Sequence, residues 1–75
     1  MLKQNYFNNM EINRLEINKA YNYVCGYEPV KVKYIGKSKD FKATHVFKAL
    51  EGAGKGINDT LSEKSVENFI QEIPQ

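Results

Sequence analysis

Val30-Lys31-Val32-Lys33-Tyr34-Ile35-Gly36 alternates apolar and charged residues along most of its length. Val30, Val32 and Tyr34 fall on one side, Lys31 and Lys33 on the other. That period belongs to a strand with one face buried and one in water. Just upstream, Gly26-Tyr27-Glu28-Pro29 reads as a turn, because Gly permits positive φ and Pro fixes φ. Before the turn, Ala20-Tyr-Asn-Tyr-Val-Cys25 is rich in strand formers. The two segments therefore predict an antiparallel hairpin. Downstream, residues 36–40 form a polar turn. Residues 42–50 predict a third strand, in which Val46 and Phe47 fall on opposite sides and the inward one is undecided. Gly52, Gly54 and Gly56 mark a mobile loop, and a short strand follows near 57–61.

The two ends of the chain read less cleanly. Thr60 and Glu63 have capping-box spacing. Val66, Phe69, Ile70 and Ile73 recur as one helical face before Pro74. Together they predict a helix over 60–73. A competing reading keeps one helical turn at 62–67 and makes 69–73 a strand, with Phe69, Gln71 and Ile73 alternating. Over 10–24, Met10, Arg14, Ile17, Tyr21 and Val24 make a helical stripe. Asn13, Asn18 and Asn22 oppose it as weak helix formers. Residues 1–10 carry no regular period and read as a flexible arm, with a single small domain over 11–75.

With 75 residues, 41% apolar and 27% charged, the chain has room for one small core. One cysteine, Cys25, and one histidine, His45, leave no internal disulfide and no four-ligand zinc site. Cys25, between Val24 and Gly26, reads as a small core hydrophobe. No cofactor and no metal are expected. No run of about 18 apolar residues is present to span a membrane, and no apolar signal region follows the first residues. A cytoplasmic protein is expected. Ten lysines to one arginine, with frequent Asn, is the bias of an AT-rich coding sequence.

The runs Leu15-Glu-Ile-Asn-Lys-Ala-Tyr-Asn-Tyr23, Pro29-Val-Lys-Val-Lys-Tyr-Ile-Gly36, His45-Val-Phe-Lys-Ala-Leu50 and Leu61-Ser-Glu-Lys-Ser-Val-Glu-Asn-Phe-Ile70 resemble small SH3-like β-barrel proteins of phages and mobile elements of low-GC Gram-positive bacteria. In such proteins a Gly commonly stands where this chain has Asn18 or Lys19, and the fourth strand is aromatic-rich, as it is not here. The resemblance covers residues 15–73. The expected fold class is mainly β: a small SH3-like barrel with a short C-terminal helical segment. The alternative is α+β, with helix 10–24, hairpin 30–50 and helix 62–73.

Chemistry-bearing motifs are few. Gly52-Ala-Gly54-Lys55-Gly56 lacks the leading Gly and the trailing Ser or Thr of a phosphate loop. Tyr34-Ile35-Gly36 is similar to the second half of the GIY-YIG nuclease signature. That likeness implies paired Tyr23 and Tyr34, but Tyr21-Asn22 replaces Gly-Ile and no Arg follows Tyr34. His45 has no evident orienting carboxylate or nucleophile in sequence. A non-enzyme is expected. Residues 30–48 hold six lysines against Asp40, while 49–75 hold five acids against two lysines. Lys31, Lys33, Lys37, Lys39 and Lys42 therefore make a candidate phosphate-backbone face. Tyr21, Tyr23, Tyr27 and Phe41 are candidates for base stacking or for an exposed protein-binding patch. The leading expectation is a protein-binding module with a host or self protein as partner, a modulator of a host enzyme being one form of it. A nucleic-acid binder is the alternative and a reduced nuclease the remote one.

Overall fold

The computed structural model describes residues 10–26, 28–40 and 44–74. A 3-10 turn at Ile12–Arg14 precedes β1 (Ala20–Tyr23), β2 (Val30–Lys37), β3 (Thr44–Ala49), β4 (Asn58–Ser62), α1 (Glu63–Phe69) and β5 (Ile70–Glu72). All neighbouring strands are antiparallel, in the order β4-β3-β2-β1-β5. This is a mainly β, barrel-like domain, and its element order is the expected SH3-like one. The α+β alternative is overturned. Where a helix over 10–24 was possible, the chain makes one 3-10 turn and a strand. Its asparagines favour turns, and Tyr21 and Tyr23 gain more from cross-strand packing than from a helical stripe.

β2 organises the sheet. Its first half pairs with β1 (Tyr21 opposite Val32) and its second with β3 (Tyr34 opposite Phe47). The register slips between Tyr34 and Gly36, a bulge that bends the strand so that it serves both halves. Gly36 carries this bend at φ +136°, and a Cβ there would meet Ile17 Cδ1 at 3.6 Å. Gly36→Ala is expected to destabilise the fold by about 1–3 kcal/mol through backbone strain. A urea titration checks this; an unchanged midpoint contradicts it. Asn18 has φ +72°, a left-handed conformation that Asn tolerates.

The core holds Met10, Tyr21, Val32, Tyr34, Phe47, Val66 and Ile70. Met10 thus belongs to the domain and not to an arm ending at residue 10; residues 1–9 lie outside the described residues. Phe47 is the inward residue of the third strand, and Val46 is half-buried on the other face.

The helix expected over 60–73 is confined to Glu63–Phe69. Ser62, not Thr60, caps it: the Ser62 hydroxyl accepts the Ser65 N–H at 3.1 Å. Seven residues make a weak helix alone. At Ile70 the backbone turns extended, and β5 pairs with β1 through Tyr23–Ile70 and Asn22–Gln71. Ile70 is the fully buried residue there, so the register is one residue off the expected Phe69/Gln71/Ile73 alternation. The glycine loop carries its own backbone hydrogen bonds. Gly56 N–H donates to Ala49 O at 2.8 Å and Ile57 N–H to Gly54 O at 2.9 Å, closing a tight β3–β4 turn.

Candidate functional site: the open mouth of the barrel

The inward positions alternate along each strand, so the ends of the strands decide what the barrel presents. At one end, β3 brings His45 beside the start of α1. The His45 side chain is 1% exposed. Tyr34 Oη lies 2.8 Å from His45 Nδ1, and Glu63 Oε2 stands 3.8 Å from Nε2. That second distance is too long for a hydrogen bond, and Nε2 has no hydrogen-bond partner. Glu63 therefore acts on the ring as a charge. It favours the tautomer with the proton on Nε2, in which Nδ1 accepts the Tyr34 hydroxyl. Burial pushes the His45 pKa below its ordinary 6.5; the Glu63 carboxylate pulls it back in part. Burial likewise raises the Tyr34 phenol. The sequence gives no sign of this cluster, because its members come from β2, β3 and α1.

At the other end, the end of β1, the start of β2 and the β3–β4 connection line one cavity. Tyr23, Val30, Val32, Ala49 and Ile57 line a cavity of about 320 Å³ together with Gly52–Gly54 and the carboxylates Glu51 and Asp59. Ile57 is 59% exposed; Ile17 and Ile35 are the other exposed isoleucines among the described residues. Tyr23 stands edge-on to Phe69 with centroids 6.2 Å apart. A side-chain hydrogen bond with Cys25, burial, and the Cys25 and Asp59 charges raise its phenol. Phe47 lies opposite Asp59 in the ladder, so Asp59 shares the inward face. Glu51 Oε2 accepts the Lys31 N–H at 3.1 Å.

A second cavity of about 450 Å³ lies between the 3-10 turn and β5, lined by Met10, Glu11, Arg14, Asn22, Gln71, Glu72 and Pro74. Glu72 of this lining is already engaged, meeting Arg14 at 3.7 Å and Lys19 at 3.6 Å.

Of the two described aromatic candidates, Tyr23 lines the mouth. Tyr21 does not belong to an exposed patch. It is fully buried, edge-on to Phe47 at 6.5 Å, and its hydroxyl accepts the Glu16 N–H at 2.9 Å. The inward phase of β1 leaves it no path to solvent. Tyr27, Phe41 and Lys42 lie outside the described residues. The tyrosines of the nuclease reading, Tyr23 and Tyr34, both face inward, and Tyr34 is bonded to His45. Cys25 is exposed rather than a core hydrophobe, because β1 ends before it.

The lysines divide. Lys31 and Lys33 share the outer face of β2, and Lys33 lies directly opposite Lys48 of β3, a residue outside the candidate set. The bulge brings Lys37 opposite His45, so it leaves that face. Lys39 is exposed in the turn after β2. Among the described residues, no ion pair engages Lys31, Lys33 or Lys48, and no group of three His, Cys, Asp or Glu side chains is placed to hold a metal ion. No described helix is long and apolar enough to cross a membrane. No protein-family model, no curated protein and no solved structure matches the chain.

Proposed function

We propose that this chain is a non-catalytic binding module that holds a short segment of a partner protein in the open mouth of its barrel. The observation that carries this reading is the apolar cavity of Tyr23, Val30, Val32, Ala49 and Ile57, with Ile57 59% exposed. Concave apolar surface with a few polar groups at its edge is what ligands fill, and an apolar wall left in water favours a partner that covers it. Ile57 differs from the other exposed isoleucines, Ile17 and Ile35, in lining this cavity. The resemblance to barrels of phages and mobile elements supports a host protein as that partner.

Panning a displayed library of random dodecapeptides on the full chain tests this. The expected result is enrichment of peptides whose affinity falls at least about tenfold with Ile57→Asp. Lys33→Glu should leave their affinity unchanged. No enrichment, or peptides indifferent to Ile57→Asp, overturns the reading.

The facing lysines favour a second reading, a phosphate-backbone contact on the outer face. Lys33 opposite Lys48 is a repulsive cross-strand pair, and an anion on that face would relieve it. Binding of a short DNA strand that weakens steeply with salt and vanishes in Lys33→Glu would carry this reading.

A further inference from the structure

Resting on the reading that the mouth is a protein-binding site, we infer that its occupant is a lysine or arginine side chain of the partner. The aliphatic stem would lie against Tyr23 and Ile57, and the charged head would reach Asp59 and Glu51.

The argument is one of charge complementarity. The residues lining the mouth include two carboxylates, Glu51 and Asp59, and no lysine or arginine. The whole chain carries a formal charge of +2, so this local balance runs against that of the molecule. Among the described residues, no ion pair engages either carboxylate. Glu51 is exposed, and one of its oxygens accepts the Lys31 N–H. Asp59 is carried on the inward face of β4 by its register with Phe47.

Three ligand classes fit less well. A purely apolar side chain would strip water from two carboxylates and return no hydrogen bond. A phosphate or carboxylate would be repelled. A hard divalent cation needs six or more oxygen ligands or several waters, and two carboxylates on an apolar wall do not provide the cage. A basic side chain satisfies both halves of the site, because Lys and Arg lay their methylene stems on apolar surface while the head reaches a polar group. Tyr23 lines the same cavity, an aromatic ring of the kind that attracts a cation.

The test uses peptides selected on the full chain and lost with Ile57→Asp. They are expected to carry a lysine or arginine at one fixed position. Replacing that residue by norleucine, which keeps the stem and removes the charge, should weaken binding about tenfold. Asp59→Asn should weaken the basic peptide about fivefold and leave the norleucine peptide unaffected, the non-additivity of a direct contact. Peptides that need Ile57 but have no basic position, or lose nothing with norleucine, overturn the inference and leave the protein-binding reading standing. So does a basic peptide indifferent to both Asp59→Asn and Glu51→Gln. A library that yields no Ile57-dependent peptide overturns both.

Discussion

Phe47→Ala should lower the melting temperature by at least about 15 °C, and at 37 °C much of the protein should be unfolded. Phe47 is 2% exposed. Its ring stands edge-on to Tyr21 at 6.5 Å and tilted against Tyr34 at 5.1 Å. It therefore joins the residue that β1 contributes to the core with the one that β2 contributes beyond it. Removing a buried phenylalanine costs about 3–5 kcal/mol in lost transfer energy and residual cavity, and aromatic pairs add roughly 0.5–1.5 kcal/mol more. A domain of this size has about 4–11 kcal/mol in all, and each kcal/mol is worth about 4–8 °C. Circular dichroism melts of wild type and variant measure the effect. Ile57→Ala is the control: with its side chain in solvent it should shift stability by about 0.5 kcal/mol or less. A Phe47→Ala melt within 5 °C of wild type contradicts the core described here.

Acid should weaken the fold before ordinary carboxylates titrate, and His45 should be the cause. The native imidazole resists protonation because burial holds its pKa below 6.5; the unfolded chain does not resist. Below about pH 6.5 the unfolded state binds the proton first. Stability is therefore fully present above that pH and lost as pH falls toward the depressed native value. The groups facing the ring are the Tyr34 hydroxyl from β2, the Glu63 carboxylate from α1 and Lys37 beyond the bulge. Glu63→Gln removes the charge that partly offsets burial, so the loss at acid pH should deepen. His45→Gln should flatten the profile between pH 7 and 5. Tyr34→Phe leaves Nδ1 buried and unpaired beside an Nε2 that already has no partner, a cost of about 1–3 kcal/mol. Urea titrations at pH 5, 6 and 7 measure all four proteins. A wild-type profile that stays level, or a His45→Gln profile that still declines, contradicts the assignment.

The fold was legible where one local signal ruled. The alternation from Val30 to Tyr34 located β2, its face and its hairpin partner. The C-terminal segment was ambiguous because Val66 and Ile70 satisfy the helical period and the true arrangement alike. Only the open edge of β1, a tertiary fact, decides that the helix stops at Phe69. Tyr21 was misplaced because tyrosines read as surface anchors until the phase of their strand is known. The lysine face was half legible: period two finds Lys31 and Lys33, but the bulge at Gly36 and the facing Lys48 belong to the pairing of two strands. The mouth has one signal in the sequence. Ile57, Asp59 and Leu61 alternate immediately after the glycine turn, which places an isoleucine and an aspartate on the inward face at an open end.

Amide chemical-shift mapping on the labelled chain, titrated with a selected peptide and separately with a short DNA strand, tests the central claim most directly. The peptide should move Tyr23, Val30, Ala49, Gly52, Gly54, Ile57 and Asp59, and leave Lys33 and Lys48 in place. Shifts gathered on Lys31, Lys33 and Lys48 with DNA, and none around the mouth with peptide, would contradict it.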